Sequence, residues 1–178
     1  MAQSDETTLD PEAIGRTGRG LGALLEGSHD GRGLRIAVAC AKFNGGISVR
    51  LLEGCLAGLR ESGVDLVDVS VAWVPGAFEL PVLAQACATA EVGYDAVICL
   101  GAVIRGETGH YDVVAGECAR GIQQVACDTG VPVIFGVLTC ETVGQALERS
   151  APDETNKGLE AAITAVEMAR LLADRRLA

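Results

Sequence analysis

The stretch that decides the fold is "DAVICLGAVIRGETGHYDVVAGE", residues 95–117. It begins with a nearly unbroken apolar run, passes through a turn that contains Gly106 and Gly109, and ends in a segment with helical spacing. An apolar run of this length is typical of a strand that is buried on both faces of a parallel sheet. The stretch therefore predicts a β-strand, a short connection and an α-helix in succession.

The same alternation continues on both sides of this stretch. Strands are predicted at residues 35–41, 64–74, 95–104 and 131–140, and helices at residues 46–63, 79–93, 111–130, 141–150 and 156–176. Strands that alternate with helices form right-handed βαβ units, whose strands lie parallel in one sheet that is covered on both faces. We therefore expect a three-layer α/β/α sandwich of flavodoxin-like type around a four-stranded parallel sheet.

A length of 178 residues suits one domain, which we expect to span residues 34–178. Residues 1–33 are polar and rich in glycine, and they predict an extension that is mobile or lies over the surface, with one short helix at residues 21–25. The sequence has neither the apolar core of a secretory signal nor an apolar stretch of the roughly 18 residues that span a bilayer. A cytoplasmic protein is expected, and the net charge of −10 disfavours nucleic acid or an anionic membrane as its main partner.

The seven cysteines predict neither a disulfide framework nor a metal centre. Their number is odd, no two of them form a C-x-x-C pair, and each lies in or beside an apolar run. We expect reduced and mostly buried thiols, because no Cys/His cluster has the spacing of a zinc site.

Four connections lie where the predicted strands end, which is the edge at which such sheets bind ligands. In chain order they are "KFNGG", "VPGAFE", "RGETGH" and "TCET". The stretch "GAVIRGET", which overlaps the third connection, resembles a P-loop, but Glu107 stands where the phosphate-binding lysine is required, which argues against a nucleoside triphosphatase. What remains is Thr108 and the N–H groups that open a helix, which form either an anion site or an ordinary connection.

Five side chains near this edge are candidates for chemistry, and most have a simpler explanation as well. His110 is suited to proton transfer near neutral pH, or it is a solvated or capping residue of its helix. Glu79 is placed to bind a ligand, or it only complements the helix dipole. Phe43 follows its strand instead of lying within it, where its ring can stack on a ligand. Arg149 and Lys157 bracket a polar turn between the last two predicted helices, and from the residues alone they are solvated charges.

Five blocks, in order, resemble the lumazine synthase family: "AKFN", "VPGAFELP", "GAVIRGETGHYDVVAGE", "PVIFGVLT" and "NKGLEAA". The resemblance extends from about Arg35 to Leu172 and omits residues 1–33. It implies the penultimate step of riboflavin biosynthesis, in which 5-amino-6-(D-ribitylamino)uracil and 3,4-dihydroxy-2-butanone 4-phosphate give 6,7-dimethyl-8-ribityllumazine, phosphate and water. It implies neither a cofactor nor a metal.

The resemblance also implies a role for each matching residue. His110 corresponds to the proton-transfer residue, and Phe43 to the ring that stacks on the pyrimidine. The ribityl and pyrimidine site is lined by Ala77, Phe78 and Glu79, and backbone contacts to the pyrimidine come from Ala102, Val103 and Ile104. The phosphate is held by Glu107, Thr108 and Arg149, with Lys157 nearby. Phe135 reaches the site of a neighbouring subunit.

Assembly is implied too, since the family completes its active sites between adjacent subunits of a pentamer. Some members build pentamers into a 60-subunit icosahedral shell, and the turn from Arg149 to Lys157 has no insertion relative to that pattern, which favours a shell. Pentamer, decamer and shell all remain open. Three alternatives also remain: a non-catalytic homologue that binds a flavin or lumazine or forms a cage, a flavodoxin-like signalling receiver, and an archaeal-type riboflavin synthase. "VACAKFN" lacks the acidic cluster of a receiver.

Overall fold

The computed structural model describes residues 11–174, with side chains from residue 14 onward. The elements in chain order are α1 (Pro11–Thr17), β1 (Ile36–Ala41), α2 (Gly45–Glu61), β2 (Val69–Val74), α3 (Leu80–Ala88), β3 (Ala96–Ile104), α4 (His110–Thr129), β4 (Val133–Cys140), α5 (Val143–Arg149) and α6 (Lys157–Leu172). Two short 3-10 turns, Leu66–Asp68 and Ala77–Glu79, precede β2 and α3. The four predicted strands and the five helices predicted after residue 34 are all present.

The four strands form one parallel sheet in the order β2-β1-β3-β4, which confirms the predicted α/β class and flavodoxin-like sandwich. The chain moves from β1 outward to β2, then returns to the other side of β1 for β3 and β4. The strand order therefore reverses between β1 and β3. The connections after these two strands diverge at that point and leave a crevice beyond their carboxyl ends, where such folds bind ligands.

Side chains that alternate along β1 and β3 form a separate core on each face of the sheet. One core packs against α2 and α6 and includes Ile36, Val38, Ile98 and Leu100, all at most 1% exposed. The other core packs against α3 and α4 and includes the intervening residues, Ala37, Ala39, Val97 and Cys99. Burial of each large aliphatic side chain contributes about 1.5–3 kcal/mol, so packing on both faces stabilises the two central strands that position the site.

The edge strand β2 begins later than predicted. The prediction placed its start at residue 64, but the Asp65 carboxylate accepts a hydrogen bond from the Val67 N–H and starts the 3-10 turn Leu66–Asp68. Extended pairing with β1 therefore begins at Val69, opposite Ile36. Much of β2 is exposed, including Trp73 at 39%.

The helix predicted at residues 21–25 is wrong, because this segment is irregular and a helix lies at Pro11–Thr17 instead. The following chain contacts the domain: the Gly31 N–H donates to the Ser62 carbonyl at 2.6 Å, and the Arg170 Nε–H donates to the Asp30 carbonyl at 2.6 Å. Residues 1–10 of the predicted extension lie outside the described residues.

All seven cysteines are free, and five of them are buried, which confirms the expected mostly buried thiols. Burial raises the pKa of the Cys118 thiol to about 11 and that of the Cys55 thiol to about 12. Within residues 11–174, no group of three or more His, Cys, Asp or Glu side chains is arranged to hold a metal ion. Among residues 11–174, no α-helix combines the length and the hydropathy that a transmembrane span requires.

Candidate functional site

A cavity of about 580 Å³ lies in the crevice beyond β1 and β3, and we call it the first cavity. Its walls come from four segments: the loop after β1, the turn after β2, the end of β3 and the start of α4. The predicted site residues in its lining are Phe43, Ala77, Phe78, Glu79, Ala102, Val103, Ile104, Thr108 and His110. The structure therefore brings nine of the predicted residues, from separate parts of the chain, to one cavity, and their roles remain predictions.

The loop after β1 holds the Phe43 ring at the mouth of this cavity. Its backbone continues the pairing with the β2 side, because the Phe43 N–H donates to the Pro75 carbonyl at 3.0 Å. Asn44 then turns into the left-handed region (φ 58°, ψ 35°), and α2 begins at the next residue. The Phe43 ring is 73% exposed, so a flat ligand can stack on it without displacing other side chains.

The end of β3 offers open backbone groups to the same cavity. Register with β1 ends at the pair of Cys40 and Leu100, so the last four residues of β3 extend beyond the strand on that side. One of these backbone groups, the Ala102 carbonyl, accepts a hydrogen bond from the Asn44 side-chain amide at 2.9 Å. Successive residues of a strand point their backbone N–H and carbonyl groups to opposite sides. Ile104 lies two residues after Ala102, so its N–H and carbonyl point to the same side as the Ala102 carbonyl. There they can bind the polar edge of a ligand ring.

The turn after β2 fixes a carboxylate at the cavity wall. Glu79 Oε2 accepts a hydrogen bond from the Gly76 N–H at 2.9 Å, and this contact links the two ends of the turn before α3. Glu79 is only half-buried, and its carboxylate has capacity for more than one donor. It can therefore accept hydrogen bonds from ligand hydroxyl groups while it holds the turn.

The start of α4 supplies an imidazole beside open N–H groups. Gly109 occupies the N-cap position and has no side chain with which to cap α4, so His110 is the first residue of the helix and not its cap. The His110 N–H donates to Thr108 Oγ1 in a long contact of 3.4 Å. An uncapped helix start attracts anions through its free N–H groups and the helix dipole. Glu107 lies exposed in the preceding loop, outside the lining of the first cavity.

The remaining predicted residues line a second cavity of about 500 Å³ on the β4 edge of the sheet, between α4 and α6. Phe135, Arg149 and Lys157 all belong to its lining. Arg149 Nη1 donates to the Gln145 carbonyl at 3.2 Å, and Lys157 pairs with Glu160. Within one chain, Arg149 and Lys157 therefore line a different cavity from Thr108 and His110.

Comparison with protein families identifies the scaffold. The model of the 6,7-dimethyl-8-ribityllumazine synthase family matches residues 33–173, which include both cavities. The chain belongs to the lumazine synthase family. Members of the lumazine synthase family are transferases of riboflavin biosynthesis, so the signalling-receiver alternative is wrong.

Sequence reasoning missed other residues at the first cavity. Asn44 and Tyr111 line the first cavity, and Arg105 lies between the lining residues Ile104 and Gly106 in the chain. The Arg105 guanidinium contacts Asp112 and Glu141 and lies over the Tyr111 ring, 4.0 Å from its centre. Arg105 falls inside the block that carried the resemblance, so its position was a signal, but its partners are visible only in three dimensions.

Proposed function

We propose that this lumazine synthase family member condenses 5-amino-6-(D-ribitylamino)uracil with 3,4-dihydroxy-2-butanone 4-phosphate. The products are 6,7-dimethyl-8-ribityllumazine, phosphate and water. In this proposal the first cavity of one subunit binds the pyrimidine, and the second cavity of its neighbour supplies the cations that hold the phosphate. Each catalytic centre then needs two chains.

The first cavity suits a flat, polar ring with a hydroxylated tail. The pyrimidine stacks on Phe43, and its polar edge forms hydrogen bonds with the backbone groups at the end of β3 that have no partner in β1. The ribityl hydroxyl groups donate to Glu79 beside Ala77 and Phe78. Apolar walls with a few fixed polar groups are what a small-molecule site requires.

The four-carbon phosphate occupies the loop before α4. Thr108 and the first N–H groups of α4 bind the phosphate, and Arg149 and Lys157 of the neighbouring subunit complete its charge balance. The Glu107 carboxylate would repel a phosphate, so Glu107 contributes through its backbone. This arrangement leaves the His110 imidazole between the phosphate and the pyrimidine.

The chemistry then consists of proton transfers between aligned reactants. The free amine of the pyrimidine attacks the ketone carbon, and loss of water gives an imine. A base removes the proton from the hydroxyl-bearing carbon while phosphate leaves the next carbon with its bonding electrons, and the resulting enol rearranges to a ketone. The second amine then closes the ring on this new carbonyl with loss of water. One imidazole near neutrality can accept and return a proton at each step, while alignment of the two reactants supplies much of the rate.

Shared sites require a head-to-tail ring, because the two cavities are different surfaces of the same chain. Exposed apolar side chains beside both cavities support such contacts: Phe43 and Phe78 at the first cavity, and Phe135, 40% exposed, at the second. A ring of this type closes as the pentamer of the family, and a shell of pentamers is an extension of it. Mass measurement in solution distinguishes pentamer, decamer and 60-subunit shell.

The single observation that carries the proposal is that His110 lines the same cavity as Phe43 and the open end of β3. The test mixes both substrates with the purified protein and follows the lumazine chromophore. We expect His110→Ala to lower turnover about 10²-fold, the usual range for loss of a general acid–base. His29→Ala is the matched control, because His29 is exposed beside Glu167 and lines neither cavity.

Two results would contradict this proposal. One is a wild-type protein that forms no lumazine but carries a flavin absorbance, which would support the non-catalytic homologue instead. The other is turnover that is unchanged in His110→Ala.

A further inference from the structure

Arg105 connects three elements at the edge of the first cavity. Its backbone N–H donates to the Cys140 carbonyl at 2.9 Å, which extends the pairing of β3 with β4. Its guanidinium forms two hydrogen bonds with Asp112 in the first turn of α4, at 3.1 and 2.9 Å. The Nε–H lies 2.8 Å from Glu141, which follows β4. One side chain therefore joins the end of β3, the start of α4 and the start of the next connection.

The loop between Arg105 and α4 has little else to hold it in place. A Cβ at Gly106 or Gly109 would touch no atom within 4 Å, so neither glycine is fixed by packing. The contact between the His110 N–H and Thr108 is long, at 3.4 Å. The position of the loop, and of the imidazole that follows it, is thus determined mainly by its two ends, which Arg105 joins.

The guanidinium is already paired with two carboxylates through three of its five N–H groups, so it is not a free cation for a phosphate. Asp112 takes two of its N–H groups and Glu141 a third, while the Tyr111 ring covers one face. Isolated surface ion pairs are weak, but a planar guanidinium with two-point contact in a network has defined geometry. Arg105 also holds the pKa of the Asp112 carboxyl below its ordinary value through these hydrogen bonds, so the contact stays ionised.

We propose that Arg105 is a positioning residue, which fixes the first turn of α4 and so holds the His110 imidazole against the first cavity. The inference goes beyond the proposed function but depends on it for the role of His110. Displacement of a catalytic group by about 1 Å can cost about 10²-fold in rate, so precise anchoring of this turn has a kinetic effect.

The test is the substitution Arg105→Gln, measured by steady-state kinetics. We expect kcat to fall about 10- to 100-fold, while KM for the pyrimidine changes little, because Phe43 and the end of β3 are untouched. Arg105→Lys retains the charge but not the two-point contact, so it restores only part of kcat. Arg120→Gln is the matched control, since Arg120 pairs with Glu117 on the same helix and lines neither cavity.

The decisive step repeats the substitution in the His110→Ala background. If Arg105 acts through His110, Arg105→Gln causes no further loss there, because the two residues work as a unit. A loss of the same size in that background would overturn the proposal, and so would a kcat in Arg105→Gln equal to that of wild type.

Amide hydrogen exchange gives a readout that needs no activity. We expect faster exchange at residues 106–112 in Arg105→Gln, with the rest of α4 unchanged. Asp112→Asn, a milder change to the same contact, should give the same effect to a smaller extent if Arg105→Gln does not fold. If wild-type protein forms no lumazine, the proposed function fails, whereas unchanged exchange at these residues would refute the positioning role itself.

Discussion

Among the buried polar residues in the described part of the chain, Asn156 is the one whose substitution should lower the free energy of unfolding the most. It is 2% exposed and caps α6, with Oδ1 accepting from the Gly158 N–H at 2.8 Å and the Leu159 N–H at 3.4 Å. Its amide nitrogen donates to the Arg50 carbonyl at 3.2 Å and the Ala151 carbonyl at 2.9 Å. One side chain therefore satisfies four backbone groups and ties the turn before α6 to α2.

The magnitude follows from these four contacts. Loss of an N-cap costs about 1 kcal/mol, and each of the two carbonyls left without its donor adds about 1 kcal/mol. We therefore expect Asn156→Ala to lower the free energy of unfolding by about 3 kcal/mol. For a chain of this size that corresponds to a fall in Tm of about 6–12 °C.

The assay is urea unfolding at one fixed protein concentration, because association of subunits also stabilises the folded state. Thr142→Ala is the matched control: Thr142 is exposed and caps α5 through one contact, from the Gln145 N–H at 3.2 Å. That variant should lose about 1 kcal/mol. If Asn156→Ala loses no more than Thr142→Ala, the contribution of the buried contacts is refuted.

Two further predictions concern packing and pH. Gly158→Ala should lower the free energy of unfolding by about 1–3 kcal/mol, because the added Cβ would collide with the Leu51 carbonyl. Gly116 is exposed and a Cβ there would meet no atom, so Gly116→Ala should raise the free energy of unfolding by about 0.5–1 kcal/mol. Equal Tm values for the two variants would contradict this prediction. The free energy of unfolding should also fall as pH rises from 9.0 towards 12. Burial raises the pKa of the Cys55 thiol to about 12 in the folded protein, so this thiol ionises at a lower pH in the unfolded chain than in the folded one. Urea midpoints measured across that range test the slope, and a thiol reagent should label exposed Cys127 before Cys55; a flat midpoint or the reverse labelling order would count against it.

The sheet and the first cavity were predictable because both depend on local pattern. Apolar runs of strand length fixed β1 and β3, and the rule that ligands bind beyond the carboxyl ends of parallel strands brought Phe43, Glu79 and His110 to one cavity. The end of β3 and the start of α4 lay within one residue of their predicted positions, since glycines mark the connection between them.

The errors arose where side-chain contacts or glycine content override an apolar pattern. Asp65 starts a 3-10 turn inside a segment that alternates like a strand, so β2 was predicted too long. Leu21 and Leu24 have helical spacing, but the glycines around them disfavour a helix there. The contact of Arg105 with Glu141 spans 36 residues, and no local pattern shows it. The separation of Arg149 from His110 likewise depends on the third dimension.

The central claim, a catalytic centre built from two chains, is tested most directly by mixing inactive variants. His110→Ala and Arg149→Ala are each expected to have little activity, and they are combined by unfolding and refolding in equal amounts. If His110 of one chain works with Arg149 of its neighbour, random assembly restores intact pairs at about a quarter of the interfaces, and about a quarter of wild-type activity returns. If mixed assemblies form but no activity returns above that of the separate variants, the shared site is contradicted.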